Sequence, residues 1–93
     1  MIVKLEWDEV KRRFNLRKHN IDFADLDDFF DGDRFTFEDQ RQNYGEIRLV
    51  SFGFLNDRVI AVVYVERGKA MRIISARKTS KNEEIYFYTQ MGY

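Results

Sequence analysis

The sequence predicts a single α+β domain over residues 1–93, with an N-terminal strand and two helices, then an antiparallel sheet of about four strands and a short C-terminal helix. Three observations predict this arrangement. A chain of 93 residues forms one core. Apolar residues recur at helical spacing near both ends of the chain, and strand-like runs lie between them. Aromatic residues make up 16% of the chain, so we expect rings to fill much of the core and do not expect disorder.

The first two elements are a strand and a helix. Residues 3–7 alternate between apolar and polar side chains, which is typical of a short strand. Asp8 is a suitable N-cap for a helix that runs to about His19. Val10 and Phe14 are four residues apart, and we expect them to form the buried stripe of this helix.

A second helix is expected to follow a sharp turn. Asn20 can take the left-handed conformation that ends many helices, and Asp22 can cap the next helix. Its expected buried positions have helical spacing: Phe23, Leu26 and Phe30. The Asp-Gly-Asp run at 31–33 ends it.

Four strand-like runs come next and predict an antiparallel meander: 34–37, 47–55, 58–66 and 69–76. The turn signal Asn56-Asp57 joins the middle two. Residues 59–65 are apolar on both faces, which indicates a central strand. Ser80 and Glu83 fit the capping box of a last helix, which Ile85, Tyr88 and Met91 continue.

The net charge is zero, but the charges are segregated along the chain. Residues 22–39 contain eight acidic side chains opposed by Arg34 alone, and residues 67–81 contain six basic side chains and no acidic one. Two interpretations remain open: solvated faces of opposite sign, or a basic surface that binds phosphate. The acidic run is best interpreted as a solvated helix face or as a surface for a basic partner.

Several classes of site are excluded by composition. The chain has no cysteine, which removes disulfides, zinc–thiolate sites and thiol nucleophiles. It has one histidine and no acidic residues at calcium-loop spacing, so we expect neither a metal site nor a cofactor. No stretch approaches 18 consecutive apolar residues, and no signal peptide is visible, so we expect a cytoplasmic protein.

Three motifs are spread over residues 6 to about 84. The first comprises Trp7-Asp8, Lys11, Asn15, Lys18-His19, Ile21 and Phe23. The second is Arg48 with Gly53 five residues later. The third and most distinctive is Glu66-Arg67-Gly68 followed by residues 72–77, Arg-Ile-Ile-Ser-Ala-Arg. In type and order, these motifs resemble those of the BrnT family of toxins.

The resemblance implies a RelE-like fold and a metal-independent ribonuclease that cleaves RNA and arrests translation. It also implies neutralisation by a BrnA-like antitoxin with a ribbon–helix–helix domain, in a 2:2 complex that binds its own operator DNA through the antitoxin. The sequence departs from the family pattern at Asn20, where the family usually has Gly, and Asn20 keeps the left-handed option.

Candidate phosphate ligands are Arg48, Arg72 and Arg77, because guanidinium groups match phosphate oxygens and these residues belong to consecutive or nearby strands. An alternative is that Arg48 and Arg72 pack along the sheet and pair with Glu46 or Glu66. Arg77 is expected just beyond its strand, with no acidic neighbour in the sequence.

Acid–base candidates are Glu66 and His19. Glu66 beside arginines would act as a base or orient them, and the cations would lower its pKa, which favours orientation. His19 at a helix C-terminus is expected to favour the protonated form and so to suit a general acid; the alternative is a structural cap. Further RNA contacts are expected from Lys18, Arg67 and Lys78.

Three tyrosines, Tyr64, Tyr86 and Tyr88, are candidates for stacking on unpaired bases, with core packing as the alternative. At the level of the whole protein, the alternative to a ribonuclease is a module that keeps the fold and binds RNA or a partner without cleavage. A DNA-binding regulator is a weaker alternative, because no helix-turn-helix pattern is visible.

Overall fold

A computed structural model describes residues 4–93 and confirms the α+β class; Val3, predicted to open the first strand, lies outside the described residues. The elements are β1 (Lys4–Trp7), α1 (Glu9–His19), a short 3₁₀ helix (Phe23–Asp25), α2 (Asp27–Asp31), β2 (Arg34–Glu38), β3 (Leu49–Leu55), β4 (Arg58–Arg67), β5 (Ala70–Lys78) and α3 (Lys81–Met91).

The sheet has five strands in the order β1-β5-β4-β3-β2. Strands β2 to β5 form the predicted antiparallel meander. β1 pairs with β5 in parallel, from Lys4 opposite Ala70 to Trp7 opposite Ile73. The sheet is therefore mixed, and the prediction of an antiparallel sheet of about four strands is wrong in this respect. A parallel pair needs a long crossover, which the whole chain between β1 and β5 provides.

β4 is the central strand, as predicted, and it is buried from Val59 to Val65. The turn before it places Asn56 and Asp57 at φ 51° and 63°. Positive φ at both central residues is the geometry of a two-residue hairpin, and Asn and Asp tolerate it better than most residues.

The sheet buries a different set of side chains on each face. Even-numbered residues of β4, such as Ile60 and Tyr64, pack on the face covered by the 3₁₀ helix and α2. Odd-numbered residues, such as Val59 and Val63, lie on the other face together with Phe87 of α3. We call the latter the α3 face. It carries the clefts described below.

Two predictions about the helices need correction. The expected second helix is divided into the 3₁₀ helix and α2, although its predicted buried residues are buried. In α1, Val10 and Phe14 are 74% and 55% exposed, so the predicted buried stripe is wrong. The predicted caps Asp8, Asn20 and Ser80 are confirmed.

Within residues 4–93, no helix combines the length and apolar character needed to span a membrane.

The buried residue of α1 is Asn15. Its amide nitrogen donates to the Ile21 carbonyl and its amide oxygen accepts from the Ala76 N–H, both at 3.0 Å. β1 pairs with β5 only as far as Ile73, so Asn15 provides a partner to the β5 edge beyond that point. The helix is thus attached beside the sheet edge by a side-chain amide instead of an apolar stripe.

Asn15→Ala is expected to lower the free energy of unfolding by about 2–6 kcal/mol, because it leaves two buried backbone groups without partners at roughly 1–3 kcal/mol each. Arg13→Ala, at an exposed position of the same helix, is the control and should change it by less than about 0.5 kcal/mol. Urea unfolding of both variants makes the comparison. Equal stabilities would contradict the attachment inferred for α1.

Candidate functional site

A groove of about 580 Å³ opens on the α3 face, between the segment that follows β2 and the start of α3. Apolar side chains of the sheet form its floor, among them Val50, Phe52 and Val63. Its charged lining includes Asp39, Arg41, Arg77 and Glu83. We call this cavity the charged groove.

Arg77 lies within β5, paired with Ala61, so the expectation that it lies beyond the strand end is wrong. It is also not without an acidic neighbour. Its Nη1 and Nη2 atoms donate to the two carboxylate oxygens of Glu83 at 2.8 and 2.9 Å, and Nη1 also donates to the Lys78 carbonyl at 3.1 Å. These hydrogen bonds use Nη1 and Nη2 and leave the Nε edge of the guanidinium to other acceptors.

Glu83 is held in place by the predicted capping box of α3. Its carboxylate accepts from the Ser80 N–H at 2.8 Å, and its own N–H donates to the Ser80 hydroxyl at 3.2 Å. Hydrogen bonds from Arg77 and from Ser80 lower the pKa of Glu83 to about 2. The carboxylate is therefore ionised at neutral pH and raises the pKa of Arg77 in turn.

A second cation of the charged groove, Arg41, was not predicted from the sequence. Asp39 is 6% exposed and accepts from Arg41 Nε and Nη2 at 2.8 and 2.7 Å and from the Tyr44 hydroxyl at 3.1 Å. These contacts hold the pKa of Asp39 well below its usual range, with Arg41 as the main cause. The interpretation of the whole acidic run as a solvated face is thus wrong for Asp39.

Arg41 and Arg77 act on one another electrostatically, since the charge of Arg41 opposes the rise in the pKa of Arg77. The Arg41 side chain is 74% exposed, so its charge faces solvent at the groove. In the sequence, the only sign of the ion pair between Asp39 and Arg41 is an aspartate two residues before an arginine. The Arg41 N–H donates to the Asp39 carboxylate at 3.2 Å, which is the local turn that aspartate favours.

A second cleft, of about 390 Å³, lies between α1 and β5. Lys18 and His19 line it, together with Phe14 and Ile74. Ser75 lines both this cleft and the charged groove. The cleft that holds His19 and Lys18 therefore borders the groove that holds Arg77.

The protonation state predicted for His19 is wrong. Burial lowers its pKa below the ordinary 6.5, and the charges of Lys18 and Arg77 lower it further. The expected effect of the helix C-terminus is outweighed, because two cations and partial desolvation all disfavour the imidazolium. At neutral pH the imidazole is mainly neutral and suits a general base better than a general acid.

Arg48 and Arg67 lie in a separate group around Glu46. The Arg48 guanidinium stacks on the Tyr44 ring at 4.0 Å from its centroid, with Nε 3.8 Å from Glu46 Oε2. Arg67 Nη2 is 3.7 Å from Glu46 Oε1. The pairing of Arg48 with Glu46 that the sequence offered as an alternative is therefore present.

Arg72 pairs with Val65, and because side chains alternate along a strand, this pair belongs to the α3 face with the other odd-numbered residues of β4. Arg72 is five residues from Arg77 on the same strand, or about 16 Å at the rise of a β-strand. Neither Arg72 nor Arg48 lines the charged groove. The structure thus places the three predicted arginines on one face but does not bring them to one cavity.

Glu66 and Lys78 are placed away from these cations. Both are exposed and belong to the opposite face of the sheet, since Glu66 adjoins Val65 and Lys78 adjoins Arg77 in strands where side chains alternate. The expected position of Glu66 beside several arginines is therefore wrong.

Among residues 4–93, no group of three or more His, Cys, Asp or Glu is arranged to hold a metal ion.

Comparisons with known proteins agree on one family. The family model for "Ribonuclease toxin, BrnT, of type II toxin-antitoxin system" matches residues 7–83. The crystal structure of the Brucella abortus ribonuclease toxin BrnT, determined at 1.1 Å, superposes with a TM-score of 0.71 and 36% sequence identity, covering 86% of this chain and 100% of that one. A search of curated proteins gave no match. This chain therefore belongs to the BrnT family of ribonuclease toxins of type II toxin–antitoxin systems.

Proposed function

We propose that this protein is a toxin that cleaves RNA internally without a metal ion, by activating the 2′-hydroxyl next to the scissile phosphate. The observation that carries the proposal is that the cleft lined by His19 borders the groove lined by Arg77 at Ser75, and that the charge of Arg77 helps to lower the pKa of His19. Cleavage of this kind needs a base for the 2′-hydroxyl proton and fixed cations for the charge that grows on the phosphate.

In the proposed reaction, the neutral imidazole of His19 takes the proton of the 2′-hydroxyl. The 2′ oxygen attacks phosphorus, and the bond from phosphorus to the 5′ oxygen breaks. The 5′ oxygen leaves with a proton from solvent, which reaches the open cleft. The products are a 2′,3′-cyclic phosphate and a 5′-hydroxyl.

Arg77 is positioned to stabilise the transition state. Glu83 fixes its guanidinium through two hydrogen bonds, so the free Nε edge is held ready for a phosphate oxygen and little reorganisation is needed during the reaction. Arg41 and Lys18 add positive charge on either side of Arg77. We assign Glu66 no part in cleavage, because its side chain belongs to the opposite face.

The remaining predicted arginines suit RNA binding better than chemistry. Side-chain alternation places Arg48 and Arg72 on the same face of the sheet as Arg77, but they lie outside the charged groove. A single strand of RNA that crosses this face would present neighbouring phosphates to them. Arg67 lies beside Arg48 through their common partner Glu46 and extends the same surface.

Membership of a type II toxin–antitoxin family implies an antitoxin partner and an RNA substrate. We further propose that the partner is a BrnA-like protein with a ribbon–helix–helix domain, in a 2:2 complex that binds operator DNA, and that cleavage in the cytoplasm arrests translation. The RelE-like classification of the fold stays a prediction of the same resemblance.

Purified protein is expected to cleave single-stranded RNA in the presence of EDTA and to release fragments that end in a cyclic phosphate. An Arg77→Ala protein purified in the same way is the control for contaminating nucleases, because a contaminant would persist in it. Induced expression should arrest growth, and co-expression of the neighbouring reading frame should relieve the arrest. RNA binding without cleavage or arrest would favour the non-catalytic alternative.

A further inference from the structure

An aromatic cleft of about 380 Å³ adjoins the charged groove. It is lined by Phe37 and Phe52 from the sheet and by Asn82, Glu83 and Tyr86 from α3. Three of these residues, Phe37, Phe52 and Glu83, also line the charged groove. The two cavities therefore share a wall, and whatever occupies the aromatic cleft lies next to Arg77 and Arg41.

Two rings of this cleft remain open to solvent although they lie against the core. Phe37 is 38% exposed and Tyr86 is 47% exposed. Each is fixed by an edge-to-face contact, Phe37 with Phe52 at 5.3 Å and Tyr86 with Phe35 at 5.6 Å between centroids. Rings held in this way lose little conformational entropy when a planar ligand stacks on them.

Of the three tyrosines considered for base stacking, Tyr86 is the accessible one. Tyr64 is 1% exposed and its hydroxyl is 2.8 Å from that of Ser51. Tyr88 packs against Phe54 in the α3-face core. Only the Tyr86 ring reaches a cleft beside the cations.

We propose that the aromatic cleft binds one unpaired base of a single-stranded RNA whose backbone phosphate lies at Arg77 and Arg41. The inference rests on the proposed ribonuclease function and adds a base-binding subsite to it. Aromatic rings beside arginine side chains are a combination that suits single-stranded nucleic acids, because the rings stack on bases while the guanidinium groups contact phosphates.

The polar residues of the cleft fit the same occupant. Asn82 offers an amide donor and acceptor, and the Glu83 carboxylate offers acceptors, at the border of the two cavities. A base edge presents complementary donors and acceptors, whereas the apolar side chain of a protein partner does not. The exposed guanidinium of Arg41 beside the cleft offers a phosphate of the same strand a hydrogen-bonding partner.

The test uses a single-stranded 2′-O-methyl oligonucleotide that carries 2-aminopurine, since it has no 2′-hydroxyl and is not cleaved. Wild-type protein should bind it and quench its fluorescence by stacking. Tyr86→Leu and Phe37→Leu should each weaken binding by roughly 5- to 150-fold, the range for loss of one stacked base. Tyr86→Phe should bind as tightly as wild type.

Ile85→Ala is the matched control, because Ile85 is an exposed apolar residue of the same helix outside the cleft. It should leave binding unchanged. A duplex of the same 2′-O-methyl sequence should bind more weakly than the single strand, because paired bases cannot enter the cleft. Thermal melting of each variant verifies that it is folded before binding is compared.

Wild-type affinity in both leucine variants, or equal affinity for duplex and single strand, would overturn the base-binding subsite. So would leucine variants that bind the oligonucleotide normally but no longer bind the antitoxin, which would make the cleft a protein-docking surface. If wild type cleaves RNA and the variants bind normally, this inference fails while the ribonuclease function stands. If the variants lose binding but wild type never cleaves, the subsite stands and the ribonuclease proposal fails.

Discussion

His19→Gln is expected to lower kcat for RNA cleavage by about 10²–10⁴-fold, the usual contribution of a positioned acid–base group. Glutamine keeps a polar side chain of similar length but cannot accept the 2′-hydroxyl proton. His19 is the one histidine of the chain, so no second imidazole can replace it. RNA affinity should change little, because the neutral imidazole carries no charge for phosphate.

The pH dependence of the cleavage rate distinguishes a general base from a general acid at His19. A base must be neutral to act, and the pKa of His19 lies below the ordinary 6.5 because of burial and the charges of Lys18 and Arg77. The wild-type rate should therefore rise with pH, reach half its plateau below pH 6.5, and be close to its plateau at pH 7. If His19 were the general acid, the rate would instead fall with rising pH over the same interval.

Lys18→Met provides the control for this assignment. It removes a positive charge that lowers the pKa of His19, so the acidic limb of the rate profile should move to higher pH. A purely structural role for His19 would leave that limb where it is. An unchanged kcat in His19→Gln would remove His19 from the mechanism altogether.

The sequence predicted the sheet well because its signals are local. The apolar run of β4 and the Asn56-Asp57 turn determine one hairpin, and the register of the meander follows from it. The parallel pairing of β1 was not predicted, since nothing local distinguishes a strand that pairs with its sequence neighbour from one that pairs with β5. That choice depends on the path of the whole chain.

In α1, the helical spacing of the apolar residues does not identify the buried side, because a polar contact determines how the helix packs. Val10 and Phe14 have the spacing of a buried stripe, yet both are exposed. Asn15 lies on the side that meets the sheet, because its amide satisfies the Ala76 N–H and the Ile21 carbonyl. The partner of Asn15 on β5 is not identifiable from spacing in the sequence.

The sequence identified candidate residues for the site more successfully than it identified which of them lie together. Arg77 and His19 were singled out, and the structure places them in two adjoining cavities that share Ser75. Arg41 was missed because its ordering by the buried Asp39 depends on a loop whose path no pattern in the sequence specifies. Glu83 was recognised as a helix cap, but its second contact, with Arg77, depends on how α3 packs on the sheet.

Arg77→Ala is expected to lower kcat/KM by about 10²–10³-fold, the range for removal of one fixed group that stabilises transition-state charge. The loss should appear mainly in kcat, because the charge on the phosphate oxygens grows during the reaction. Steady-state kinetics on a short RNA substrate separates kcat from KM. The difficulty is that Arg77 also pairs with Glu83, so lost activity alone does not distinguish a phosphate ligand from a structural residue.

The Glu83→Gln variant makes that distinction, because it removes the negative charge of the same ion pair and leaves Arg77 in place. Glutamine at this position preserves the capping box of α3, and the Arg77 guanidinium remains in the charged groove. The pair is 39% and 29% exposed, so both variants should lose a similar and small amount of stability, about 1 kcal/mol or less. Their activities should nevertheless differ, with Glu83→Gln within about tenfold of wild type and Arg77→Ala far below it. Equal losses of activity in the two variants would mean that Arg77 acts only as part of its ion pair with Glu83, and would overturn its assignment as a phosphate ligand in its own right.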